Sequence, residues 1–303
     1  MHAASPNRVS QEVTRAPSAS IKLPRAMSMT GAAMLLASCN DGVLDPHGPV
    51  GKAERVILYD STAIMLAVVV PVIVLTLVFA WWFRAKNNRA QYRPDWEYSG
   101  RIEMIIWSIP ALVILFLGGI AWTGSHDLEP SVSLEESTAP LDIEVISLDW
   151  RWLFIYPNEG IASLNRLVVP AGVPLRFRLT STTVMNSFFV PQLGSQIYTM
   201  PNMVTRLNLQ ADQPGTFEGL SAQFSGDGFS DMRFDLVSRE MGAFEDWVNA
   251  TKTQGGVLDE GTFEELLKPA RAEGAQTYGQ VSEGLFERIS SGHMAAVSPQ
   301  RGQ

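Results

Sequence analysis

The sequence predicts two membrane-spanning α-helices paired as a hairpin, an outer all-β domain of sandwich or barrel type, and a small helical C-terminal extension. Three observations carry that reading. Thr62 to Phe83 and Met104 to Trp122 are runs of 22 and 19 residues without a charge, each near the roughly 20 residues a helix needs to cross a bilayer. From residue 141 the apolar spacing changes to period two, the pattern of half-buried strands. Past residue 240 it returns to helical spacing.

The chain opens on a leader. Lys22 and Arg25 precede an apolar run, Ala26 to Leu36, that ends in Leu36-Ala37-Ser38-Cys39. This is the layout of a secretory signal with small residues before its cut, and it resembles the bacterial lipoprotein box, where the cysteine becomes the lipidated first residue. Cys39 is the only cysteine, so no disulfide can form within the chain and Cys39 is assigned as the lipid anchor. Residues 1–38 are read as a disordered leader and signal peptide, with Met27 and Met29 as alternative starts, and 39–61 as an outer N-terminal segment. A single acyl chain holds a membrane only marginally, so the two helices would do the anchoring.

Those helices are expected at 62–83 and 104–122. Pro71 and Pro110 would break soluble helices but are tolerated in a bilayer. The connection, 84–101, carries Arg84, Lys86, Arg89, Arg93 and Arg101 against Asp95 and Glu97, and the positive-inside rule keeps such a loop in the cytoplasm. Both flanks are then outside, with Trp81, Trp82 and Trp122 at the headgroup level that suits their amphipathic rings.

The outer domain is expected over 126–240. Leu141 to Val145, Leu175 to Leu179, Val204 to Leu209 and Met232 to Leu236 alternate apolar with polar, and Pro157-Asn158, Pro170-Ala171-Gly172, Pro201-Asn202 and Gln213-Pro214-Gly215 mark turns between them. Short strands at this spacing argue for a sandwich or barrel. The domain holds 14 Asp and Glu against 7 Lys and Arg, and the whole chain has a net charge of −8. No basic patch offers itself to nucleic acid; the acidic surplus reads as a solvated surface. In the extension, 241–303, Phe244, Trp247 and Val248 share one helix face, Phe263, Leu266 and Leu267 another, and Val281, Leu285 and Ile289 a third, with His293 read as exposed and the tail as disordered.

The motifs between Val184 and Met232 are more specific. The run Gly219-Leu220-Ser221-Ala222-Gln223-Phe224-Ser225-Gly226-Asp227-Gly228-Phe229-Ser230-Asp231-Met232 resembles the loop of cytochrome c oxidase subunit II that holds a two-copper centre, Cys-x-Glu-x-Cys-x3-His-x2-Met. Ser221 and Ser225 stand at the cysteines, Gln223 at the glutamate and Phe229 at the second histidine, while Met232 is retained. Upstream, Val184-Met185-Asn186-Ser187-Phe188-Phe189-Val190-Pro191 resembles the segment of the first histidine, with Asn186 in its place. Independently of any family, the four histidines are His2, His47, His126 and His293, so no cysteine or histidine lies between 127 and 292. Soft copper sites require thiolate and imidazole, and one thioether is too weak a donor for two ions.

Order and spacing together, from Cys39 to about residue 240, resemble subunit II of a haem-copper quinol oxidase of the cytochrome bo-type ubiquinol oxidase kind. The resemblance implies a cupredoxin-like Greek-key barrel, where periodicity alone would equally allow an immunoglobulin-like sandwich. It implies a complex in the bacterial inner membrane that oxidises quinol, reduces oxygen to water and moves protons, with haems and copper in a partner subunit I, further small subunits, membrane lipid around the spans, and no cofactor in this chain. A lipid-soluble donor reaches a haem from the bilayer, so an outer copper relay becomes superfluous. Asp149-Trp150-Arg151-Trp152-Leu153-Phe154-Ile155-Tyr156 resembles the aromatic motif that passes electrons to copper in metal-bearing relatives; with no copper behind it, Trp150 and Trp152 are expected to serve packing. Glu103 matches a glutamate that the resemblance places at the mouth of a proton-uptake channel, although a boundary carboxylate two positions from Arg101 is also what an ordinary interfacial residue looks like. The rival reading is a membrane-anchored structural or binding lipoprotein with a degenerate cupredoxin domain and no oxidase.

Overall fold

The computed structural model describes residues 42–91, 93–134, 138–271 and 274–292. Cys39, the signal segment and His293 lie outside them. Helix α1, Pro49–Trp82, takes in the first apolar run up to its last residue, Phe83, which caps it, helix α2, Gly100–Asp127, contains the second, and Pro71 and Pro110 lie inside them. Their apolar side chains face outward along most of both helices, as a lipid environment requires. Helix α1 begins 13 residues before the uncharged run, with Pro49 in the first turn, where a missing N–H costs nothing. At about 1.5 Å per residue it is roughly 50 Å long, more than the ~30 Å hydrocarbon core, and its surplus lies against the outer domain. There the Gly51 N–H donates to the Leu193 carbonyl at 2.9 Å and Ser195 donates to Glu54.

The outer domain is two packed sheets. Strands β1 Leu141–Ser147, β2 Trp152–Tyr156, β3 Ile161–Leu164, β5 Pro174–Ser181 and β8 Thr205–Gln210 form most of one; β4 Arg166–Pro170, β6 Asn186–Phe189, β7 Ile197–Thr199, β9 Gly215–Ser221 and β10 Arg233–Arg239 form the other, in the order β4-β10-β9-β6-β7. Two pairs among these ten strands are parallel, β1 with β5 and β4 with β10, so the chain crosses between sheets instead of meandering. This is the cupredoxin-like barrel that the resemblance implied. Its core is built on Trp152, Phe154, Phe177, Phe188 and Phe234. Phe188 lies centrally, stacked on Phe234 at 5.2 Å and edge-on to Trp152 at 5.4 Å.

The extension contributes helices α3 Met241–Gln254, α4 Glu260–Leu266 and α5 Leu285–Ser290, as the spacing predicts, together with two strands it did not announce, β11 Gly256–Leu258 and β12 Gln276–Val281. Strand β12 pairs antiparallel with β3, completing a seven-stranded sheet ordered β11-β12-β3-β2-β1-β5-β8. Val281 therefore ends a strand; it does not share a helix face with Leu285 and Ile289, because Gly284, at φ +67°, turns the chain between them. Leu258, Phe263, Leu285, Phe286 and Ile289 bury a second apolar cluster against Ile146, Leu148, Leu153, Ile155 and Leu164 on the back of that sheet. Both faces of β2 are consequently dry.

Candidate functional site

Sheet pairing gathers three of the positions that resemble copper-loop ligands at one end of the barrel. Phe188 of β6 is in register with Ser221 of β9, and Leu220 of β9 with Arg233 of β10, which brings Asn186, Ser221 and Met232 side by side. All three are buried. The Ser221 hydroxyl lies within donating reach of Asn186 Oδ1 at 3.2 Å and of the Gln223 carbonyl at 3.3 Å. The Asn186 amide donates at 3.3 Å to Ser147 Oγ and to the Val184 carbonyl, and Ser147 Oγ is 2.9 Å from Thr199 Oγ1. Ser225 Oγ contacts Met232 Sδ at 4.0 Å. Buried polar atoms are tolerated when paired in this way.

Gln223 joins the cluster through its backbone carbonyl, and Phe229 stands apart, its ring against Phe224 at 5.6 Å. The donors that remain are hydroxyls, carboxamides and one thioether. They do not fit a thiolate- and imidazole-seeking copper centre, and what they build is a hydrogen-bonded plug. Among the described residues no group of three or more His, Cys, Asp or Glu is placed to hold a metal ion.

Trp150 closes the plug from outside. Its Nε1 donates to the Ser225 carbonyl at 3.2 Å, and its ring lies on Gly226 and Gly228, where a β-carbon on Gly228 would collide with it. The residue sits at φ +67°, a conformation that costs a bulky side chain roughly 1–2 kcal/mol. That strain is offset by the contacts it creates. Trp152, two residues on, points inward. It is wholly buried, edge-on to Phe188 and Phe234, and its Nε1 finds no hydrogen-bond partner among the described residues.

Glu103 is remote from this cluster. It is an exposed residue in the first turn of α2, where a carboxylate complements the helix dipole. Cys39 falls outside the described residues. A charged cluster went unnoticed in the sequence, because alternation marks Glu144 as an outward, solvated residue of β1. The extension covers that face. Glu144 is 6% exposed and accepts from Arg178 Nη1 at 2.7 Å, while the same guanidinium reaches Glu287 of α5 at 3.1 Å. Desolvation first, and then the Glu287 charge, push the Glu144 carboxyl up to about 7, against the opposing pull of Arg178.

Two long apolar helices, a two-sheet outer domain and a buried cluster of hydroxyls and amides with no thiolate or imidazole define an oxidase subunit II without the copper-ligand set. The family model described as cytochrome c oxidase subunit II, periplasmic domain, matches residues 158–238. The chain belongs to the ubiquinol oxidase subunit 2 family. Cytochrome bo(3) ubiquinol oxidase subunit 2 of Pseudomonas aeruginosa is 46% identical over 257 residues, which is 85% of this chain and 78% of that relative. Ubiquinol oxidase subunit 2 of Acetobacter aceti is 45% identical over 260 residues, 85% of this chain and 84% of the relative. Quinol oxidase subunit 2 of Bacillus cereus is 34% identical over 269 residues, 88% of each. These relatives do not favour the stand-alone lipoprotein reading.

Proposed function

We propose that this chain is the non-catalytic scaffold subunit of a proton-translocating ubiquinol oxidase, in which two quinols and one oxygen give two quinones and two waters. The observation that carries the reading is the rebuilt copper loop. A domain of this family that received electrons from a soluble haem protein would need a metal relay, whereas this one keeps the barrel and fills the relay with a hydrogen-bonded plug. Haems and copper would reside in subunit I, and the quinol would meet that subunit from the bilayer.

Topology supports the same role. With the Arg-rich loop 84–101 in the cytoplasm, the outer domain faces the periplasm. The first turns of helix α1 and the segment ahead of it are bonded to the outer domain, the Asp212 N–H donating to the His47 carbonyl at 2.8 Å and Ser195 donating to Glu54. The plugged end carries an apolar rim. Val184, Met185, Tyr198, Met203, Val204 and Phe224 are exposed there, Phe224 by 72%, and an apolar rim of this kind suits burial on a neighbouring subunit. Glu103, at the opposite end of α2, is assigned to the proton entrance, and Cys39 to lipid attachment.

Mild solubilisation, capture of this chain and an optical spectrum test the assignment. Co-purifying b- or o-type haem and quinol-driven oxygen uptake are expected. A chain that purifies alone and colourless refutes it.

A further inference from the structure

The structure assigns Glu144, Arg178 and Glu287 a role beyond packing: we propose that they form a proton-operated latch that holds α5 on the outer sheet and tightens as the surrounding medium acidifies. The geometry is one guanidinium between two carboxylates of unequal burial. Glu144 and Arg178 are register partners on β1 and β5. Arg178 spans from that pair to Glu287 on the extension and lies over the Phe286 ring at 4.7 Å. The Glu144 side chain is 8% exposed and that of Glu287 57%. Above the latch opens a groove of about 670 Å³ that admits water and protons.

The other charged groups around Glu144 leave it as the one poised to titrate. Asp142 on its own strand is engaged by Arg176 of β5 at 2.5 Å and is held below the usual carboxylate range by that bond. Arg206 of β8 is the register partner of Arg178 on the far side, and Glu283 stands at the groove lip beside α5. Tyr156 of β2 commits its hydroxyl to the Val168 carbonyl at 2.9 Å. Once Glu144 ionises, two negative charges share Arg178 and repel each other across the joint. Protonated, Glu144 leaves the guanidinium to Glu287 alone. Gly284, at φ +67° just before α5, is the point about which the helix would part from the sheet.

Linkage fixes the direction. A carboxyl with a folded-state value near 7 and an ordinary value of 4.5 makes the folded state the better proton binder between the two, so stability falls as pH rises through that window. Amide hydrogen exchange on the intact, detergent-solubilised complex tests it, with rates normalised for intrinsic pH dependence. Protection of residues 285–290 is expected to drop by about tenfold or more between about pH 5.5 and about pH 8.5, one decade being the effect of one unit of coupling. Glu144→Gln should hold the acid-level protection at both values. Equal protection of the wild type at the two values, or a Glu144→Gln profile as steep as the wild type's, overturns the latch. If Glu144→Gln fails to assemble, the exposed Glu287→Gln serves instead. It should lower protection in acid and shrink the step, and an undiminished step also overturns the proposal.

Discussion

Two substitutions at Trp152 separate packing from electron transfer. Trp152→Ala removes a fully buried ring that meets Phe188 at 5.4 Å and Phe234 at 5.8 Å, and truncations of this kind cost about 3–5 kcal/mol. Trp152→Phe keeps an aromatic ring and abolishes the indole N–H that is buried without a partner among the described residues. Burying such a donor costs about 1–3 kcal/mol, so its removal offsets the void left by the smaller ring, and the net change should stay within about 1.5 kcal/mol. In a folded unit of roughly 150–250 residues, 1 kcal/mol moves the melting point by about 2–4 °C. Trp152→Ala should thus lower it by about 6–20 °C, and Trp152→Phe by less than about 6 °C. Near-ultraviolet circular dichroism melts of the purified complex measure this, with quinol-driven oxygen uptake recorded on the same samples. Trp152→Phe should respire at the wild-type rate. Lost oxygen uptake with an unchanged melt would restore an electron-carrying role to the motif, and a Trp152→Ala melt equal to the wild type's would refute the packing argument.

Gly228→Ala puts a methyl group into the Trp150 ring and should destabilise the outer domain by about 1–3 kcal/mol; a denaturation midpoint matching the wild type's would mean that Trp150 does not seal the loop. Glu103→Ala should slow both turnover and proton uptake several-fold if that carboxylate feeds a channel, and an unaltered oxygen-uptake rate returns it to the interface. Cys39→Ser should abolish radiolabelled lipid incorporation while the chain stays in the membrane fraction, and release into the soluble fraction would contradict the two-span anchor.

Legibility in the sequence followed solvent. Strands β1, β5, β8 and β10 each keep at least part of one face toward water, and their alternation was readable. Strands β2 and β3 are buried at every position, since the barrel core covers one face and the extension the other, and a lone Ser163 is too little to mark their period. The same covering hid Glu144, whose chemistry depends on a helix that follows it by more than a hundred residues. Strand β12, only six residues long around Gly279, offers too little pattern to separate from the flanking helices. Asn186, Ser221 and Met232 were singled out by spacing alone, and strand pairing brings them side by side. What the sequence left unsaid was how these side chains pack together. The Trp150 cover depends on a left-handed backbone and on two glycines in a distant loop, and no local spacing encodes that encounter.

The two-sided burial of the larger sheet sets a limit on engineering. Truncation after Arg239 would strip Leu258, Phe263, Leu285, Phe286 and Ile289 from the back of β1 to β3 and leave an oily wall facing water. The smallest soluble piece of the outer region must therefore include the tail through at least Ile289. A chimera that grafts a metal-binding barrel onto these spans would have to bring its own cladding for that wall, or it would clump before its redox properties could be measured.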